Sequence, residues 1–208
     1  MIKPWDEITF RKEFDKINAR TLVDHHRCYT LIQFMNQALH FPGDIAEVGV
    51  YKGGTAKLIR NQLDLHRINW KTLHLFDTFE GMPKVDPTKD LHKEGDFKDT
   101  SLESVSDFVG SENTLYYAGV FPETAWTLNN KEFCFVHIDC DIYSSVKACC
   151  EFFYERMPKG GIMVFDDYGA EGCPGAKRAV DEFFDHPARI EEPIYLTTGQ
   201  AVVFINKS

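Results

Sequence analysis

Four aspartates carry the densest chemical signal in the chain. Two short apolar runs, Phe133–Ile138 (FCFVHI) and Ile162–Phe165 (IMVF), each end in a pair of them, Asp139 with Asp141 and Asp166 with Asp167. Short, β-rich apolar runs of this kind are what parallel strands buried on both faces look like. The two pairs are therefore aimed at one edge of a sheet. Two unit charges about 4 Å apart interact by roughly 4 kcal/mol at an effective dielectric near 20, so such a cluster is strained unless it is protonated or holds a cation. Carboxylates without soft ligands favour magnesium, with calcium or manganese as substitutes. In an extended chain Asp139 and Asp141 project the same way while adjacent Asp166 and Asp167 diverge, so one ion cannot take all four without local turning. His137, two residues before Asp139, reads as a satisfied core histidine.

A sheet edge does chemistry only if something else brings the reactant to it. Residues 44–50 (DIAEVGV) read as a buried strand that runs straight into YKGGTAKLIR, a glycine turn opening a helix. Glycines at 49, 53 and 54 let a ligand approach the backbone, and the amides of the helix start attract a carboxylate or phosphate. The spacing departs from GxGxxG, and the next strand-end carboxylate, Asp77 in KTLHLFD, comes too late for a plain dinucleotide fold. The same logic of an acid after the second strand still suits Asp77 to the two hydroxyls of a ribose.

The remaining elements frame these two stretches. Asp24 is placed to cap a helix with the apolar stripe Cys28, Leu31, Ile32, Met35, Ala38 and Leu39, and a weaker helical pattern precedes it. Residues 78–100 form a long, turn-rich connection of the kind that serves as a lid. Thr100 and Glu103 suggest a capping box for LESVSDFV. A third strand over 115–118 leads to Gly119, and a helix over 145–156 follows the fourth strand. Pro174 or Gly175 opens another helix. IYLTT and AVVFIN flank Gly199 and Gln200, which suggests a hairpin with a two-residue link. Strands alternate with helices five times and end in that hairpin, an α/β pattern.

Composition bounds the rest. The 208 residues are 43% hydrophobic, enough for one α/β domain over 1–208 with residues 1–43 as an N-terminal helical cap. A net charge of -9 argues against nucleic acid as a partner. Six cysteines show no CxxC or zinc-type spacing and read as reduced packing residues. No run is long enough to span a membrane and the N-terminus lacks a signal-peptide core, so a cytoplasmic, membrane-free protein is expected. An apolar face on the N-terminal helix, if exposed, would favour a homo-oligomer.

Taken together, AEVGVYKGGTA, LFDTFEGMP, GDFKDTSLE, YYAGVFPET, HIDCDIYSS and MVFDDY resemble the macrocin O-methyltransferase family. The resemblance implies a class I, Rossmann-like fold: a doubly wound, mostly parallel seven-stranded sheet with a C-terminal antiparallel hairpin. It implies S-adenosylmethionine as cofactor and metal-dependent methylation of a sugar or related diol in a natural product or polysaccharide. By position in it, Asp139, Asp166 and Asp167 match the metal ligands and Asp141 the general base. Glu47, Gly49 and Gly54 match the methionine-side loop, Asp77 the ribose carboxylate, and Gly119 with Val120 the adenine edge. Thr78 is added as a ribose contact. Tyr51 and Lys52 sit where the cofactor carboxylate would pass, and Phe79, Met82, Phe97 and Tyr168 are candidates for the acceptor pocket. The chain departs from the family in its short N-terminus. DxD also occurs in magnesium-dependent glycosyltransferases and aspartyl-phosphate phosphatases, and a non-catalytic cofactor-binding subunit is a further alternative. The early glycine loop and the full aspartate set favour the methyltransferase.

Overall fold

In the computed structural model, which describes residues 3–207, the chain forms a seven-stranded sheet flanked by helices. The elements are α1 (Ile8–Asp15), α2 (His25–Ala38), β1 (Asp44–Val48), α3 (Gly54–Leu65), β2 (Leu73–Asp77), α4 (Leu102–Val109), β3 (Thr114–Ala118), β4 (Phe133–Ile138), α5 (Tyr143–Tyr154), β5 (Ile162–Phe165), α6 (Pro174–Phe184), β6 (Ile194–Tyr195) and β7 (Ala201–Phe204). The strand order is β3-β2-β1-β4-β5-β7-β6. Strands β1 to β5 are parallel, and β7 runs antiparallel to both β5 and β6.

The order reverses direction between β1 and β4, and open parallel sheets bind ligands outside the carboxyl ends of the strands at such a point. Both β4 and β5 are buried along their whole length, which is why each reads as an unbroken apolar run. One face of the sheet packs on α5 and α6 through Phe153, Val180 and Phe184, the other on α2 and α3 through Leu31, Met35 and Ile59. A third cluster, Phe10, Ile17, Val23, Cys28, Ile32 and Leu58, seats α1 and the segment after it on α2 and α3. Among the described residues, no helix is long and apolar enough to cross a membrane.

Asp24 caps α2 as expected, accepting from His26 N at 2.8 Å and Arg27 N at 3.1 Å. Three local expectations are corrected. The cap of α4 is Ser101, whose hydroxyl accepts from Ser104 N at 3.2 Å, while the Thr100 hydroxyl bonds the Tyr51 carbonyl instead. The helix after β4 starts at Tyr143, because Asp90 from the long loop accepts from Tyr143 N at 2.8 Å and supplies the end with a cap its own N-cap residue lacks. The loop of the terminal hairpin spans residues 196–200 rather than a two-residue link, and Leu196 N bonds the Gln200 carbonyl while Gly199 N bonds the Leu196 carbonyl.

Candidate active site

A cleft of about 260 Å³ opens over the carboxyl ends of β1, β2 and β4. Its floor begins at Gly49, in the residue after β1, with φ +89. A Cβ there would sit 1.7 Å from the Asp139 carbonyl oxygen, so only glycine lets the ends of β1 and β4 meet. Beyond it the chain is held by Asp77. Its Oδ2 accepts from Val50 N at 2.7 Å and Tyr51 N at 2.9 Å, and its Oδ1 from Phe79 N at 2.7 Å. The carboxylate at the end of β2 thus fixes the glycine loop and its own following turn at once.

Gly49, Asp77, Thr78, Gly119 and Val120 all line this cleft, together with Tyr51, Met82 and Phe97. Two residues matched to the cofactor loop stand elsewhere. Glu47 is fully buried in β1, with Oε1 2.7 Å from His137 Nδ1. Gly54 is pressed against Arg20 and Thr21, where a Cβ would meet the Arg20 carbonyl at 2.7 Å. Of the remaining candidates, Lys52 pairs with Asp99, Phe79 is buried in the core, and Tyr168 is buried with its hydroxyl donating to Asp181 at 2.7 Å. The side chains of Arg20, Thr21, Leu22, Val23 and Arg27 close the cleft from the N-terminal side.

The four aspartates divide into two sets. Asp141 takes a left-handed backbone, φ +59, and its N–H bonds Asp167 Oδ2 at 3.0 Å. Aspartate tolerates that conformation better than most side chains. This turn breaks the extended geometry in which Asp139 and Asp141 would project together. Asp139 faces Asp166 and His137, all three offering ligand atoms within 4.8 Å of one another. Asp141 faces His92 and Cys173 instead. Asp139, Asp141 and Asp167 line the cleft, whereas Asp166 is buried behind it.

Electrostatics follow this placement. Burial, then the charge on Asp166, pushes the Asp139 carboxyl well above the usual carboxylate range. Burial also raises Asp167, reinforced by Asp141 and Asp139, and it raises Asp141 although His92 pulls the other way. Asp166 alone is held below the usual range: against its burial work His137, the Arg27 guanidinium on Oδ2 and Gln200 Nε2, 2.8 Å from Oδ1. His137 lies between Glu47 and Asp166 Oδ1, the latter 3.5 Å away. Burial opposes its charge, yet the two carboxylates prevail and its pKa rises well above the ordinary histidine value. The expectation of a core histidine is met, but the ring is only half satisfied by hydrogen bonds: Nδ1 bonds Glu47, while Nε2 has only the longer ionic contact to Asp166.

A family model described as macrocin O-methyltransferase (TylF) matches residues 14–206. The chain belongs to the macrocin O-methyltransferase family. It is a class I S-adenosylmethionine-dependent methyltransferase. Among its relatives, the demethyldecarbamoylnovobiocin O-methyltransferase of Streptomyces niveus is 29% identical over 181 residues, covering 80% of this chain and 68% of that one. The mycinamicin III 3''-O-methyltransferase of Micromonospora griseorubida is 27% identical over 183 residues, covering 80% and 71%. The solved O-methyltransferase NovP superposes with a TM-score of 0.80 at 25% identity over 90% of this chain and 83% of that one.

Within this macrocin O-methyltransferase family member, reasoning from sequence missed Arg27, His92, Cys173 and Gln200. Arg27 sits on an otherwise ordinary amphipathic helix, and Gln200 lies in a hairpin link. No local pattern marks either one; both matter because the fold carries them to Asp166.

Proposed function

We propose that the chain transfers the methyl group of S-adenosylmethionine to a hydroxyl of a sugar or related diol in a natural product or polysaccharide, with a divalent cation held by Asp139, Asp166 and Asp167. The observation that carries this reading is one cleft bordered both by the glycine loop with Asp77 and by Asp139, Asp141 and Asp167. Relatives named for sugar-bearing antibiotics, such as a tetracenomycin rhamnosyl 4'-O-methyltransferase of Streptomyces olivaceus, support the acceptor class.

The donor set fits a hard divalent cation. It is all oxygen: Asp139 and Asp167 line the cleft with pKa values raised first by burial and further by neighbouring carboxylates, a repulsion that a bound cation would relieve. Arg27 on Asp166 is a protein cation standing where positive charge is called for. A bound divalent ion would supply Lewis acidity, lowering the pKa of the acceptor hydroxyl and fixing its direction.

The chain's own residues do the rest. Asp77 Oδ1 accepts from Phe79 N at 2.7 Å and only distantly, at 3.5 Å, from the Thr78 hydroxyl, which donates mainly to the Gly81 carbonyl, so it can accept from a ribose hydroxyl while the carboxylate keeps the 49–51 loop open for the methionine end. Gly119 and Val120 flank the place of the adenine. Leu22, Val23 and Met82 exclude water from the methyl group. Asp141 accepts the hydroxyl proton as the oxygen attacks: the carbon–oxygen bond forms, the carbon–sulfur bond breaks, and the sulfonium leaves as a neutral thioether. Its raised pKa suits it to that task, since a base works best when its pKa approaches the working pH.

Incubation with methyl-labelled S-adenosylmethionine and a panel of deoxysugar glycosides, read by mass spectrometry, tests this. The expected product is a labelled methyl ether whose formation stops on chelation and resumes with magnesium. Metal-dependent hydrolysis of a nucleotide sugar without methyl transfer would favour the glycosyltransferase reading instead.

A further inference from the structure

His92 and Cys173 take no part in methyl transfer as described, yet both converge on Asp141. Cys173 Sγ lies 3.4 Å from Asp141 Oδ1 and 3.6 Å from His92 Nε2, and that nitrogen is 3.6 Å from the same oxygen. The contact from Nε2 to Oδ1 is too long for an N–H···O hydrogen bond, so hydrogen bonding accounts for only part of the arrangement. A tetrahedral ion accounts for all of it. With zinc bonds of about 2.3 Å to sulfur and about 2.0–2.2 Å to nitrogen and oxygen, the edges of the tetrahedron fall near 3.3–3.6 Å. The observed triangle has those edges to within about 0.3 Å.

The surroundings of the histidine point the same way. Asp96 Oδ2 lies 3.3 Å from His92 Nδ1 and accepts from Lys93 N at 2.9 Å. A carboxylate on the far nitrogen is the usual support of a metal-binding histidine, because it places the proton on Nδ1 and leaves the Nε2 lone pair facing the ion. The other two donors are also fixed in place. Asp141 is held by its N–H bond to Asp167, and Cys173 is buried at the start of α6. The loop that carries His92 is anchored two residues earlier by Asp90 on the start of α5.

We propose that His92, Asp141 and Cys173 form a tetrahedral site for a borderline-soft divalent cation, zinc foremost, with its fourth position open to water or substrate. Nitrogen, oxygen and sulfur together select against the hard cations that suit Asp139, Asp166 and Asp167. Binding releases the Cys173 thiol proton to solvent and leaves a thiolate on the ion. It also occupies Asp141, so zinc inhibits methyl transfer. This inhibition rests on the reading of Asp141 as base; the site itself does not.

Cobalt(II) titration of the full chain tests the site without any turnover. The expected result is a saturable thiolate-to-cobalt charge-transfer band and a tetrahedral visible spectrum, both displaced by zinc and both insensitive to excess magnesium. Cys173→Ser abolishes the charge-transfer band and His92→Gln weakens cobalt binding at least tenfold, while Cys140→Ser, at the half-buried neighbour of Asp141, retains the band. No band in the wild type, or an undiminished band in a folded Cys173→Ser protein, overturns the proposal. If the band forms as expected and zinc leaves turnover untouched, the site stands and the assignment of Asp141 as base fails.

Discussion

Arg27 of α2 lays its guanidinium on Asp166 at the end of β5, joining the N-terminal segment to the acidic edge of the sheet. The Asp166 side chain is fully buried, and Arg27 also donates to the Leu22 carbonyl at 3.1 Å, so the pair fastens the wall of the cleft as well as balancing charge.

Removing one member of a buried pair leaves the other uncompensated, typically at a cost of about 3–5 kcal/mol. Arg27→Met is expected to lose stability in that range by urea unfolding. Millimolar magnesium should recover part of the loss, because a cation that binds the folded chain alone stabilises it. A loss that magnesium leaves unchanged would separate Arg27 from any cation site.

Asp77 holds Val50 N and Tyr51 N on one oxygen. Hydrogen bonds to a charged acceptor are worth about 1.5–3 kcal/mol, so Asp77→Asn should weaken S-adenosylmethionine binding by roughly ten- to a hundredfold. Equilibrium dialysis reads this directly, and an unchanged Kd would contradict the role given to that carboxylate.

Asp141→Asn keeps the size of the side chain and removes its capacity to take a proton. A positioned general base contributes about 10²–10⁴ in rate, so kcat should fall by that factor with the Kd for S-adenosylmethionine unchanged. A loss of cofactor binding of similar size would show that Asp141 positions the cofactor instead.

Far from the cleft, Asp44 at the start of β1 sets an acid limit to stability. Although burial opposes ionisation, His74 at 3.1 Å, Thr72 N at 3.0 Å and Lys131 at 3.2 Å bring its pKa down to about 2. A depressed carboxylate pKa contributes stability above the unfolded value near 4, and that contribution is lost as the pH falls through 2. The displacement corresponds to about 2 kcal/mol. Asp44→Asn should be less stable than wild type by that amount at pH 7, and the gap should close between pH 4 and pH 2 in urea unfolding.

The strands and the four aspartates were legible because buried parallel strands announce themselves as apolar runs and their ends by the polar residues that follow, as at Phe133–Ile138 and Ile162–Phe165. Asp24 was legible as a cap for the same local reason. What sequence could not show was direction. The left-handed turn at Asp141 separates it from Asp139, and only the folded loop reveals that His92 arrives beside it from 49 positions upstream. Glu47 matches the cofactor loop by position, yet strand alternation puts its side chain on the same face as its register partner His137, which it bonds inside the sheet. Thr100 lost the cap of α4 to Ser101 because its hydroxyl was already committed to Tyr51.

The proposed function requires one cleft to bind a methyl-donating sulfonium between the glycine loop with Asp77 and the edge formed by Asp139, Asp141 and Asp167. Isothermal calorimetry of the wild-type chain, titrated with S-adenosylmethionine and then with a deoxysugar glycoside acceptor, each with and without magnesium, tests this requirement most directly. The expected result is one cofactor site per chain in both conditions, and an acceptor-binding heat that appears only when magnesium is present. Absence of any cofactor binding in either condition would contradict it.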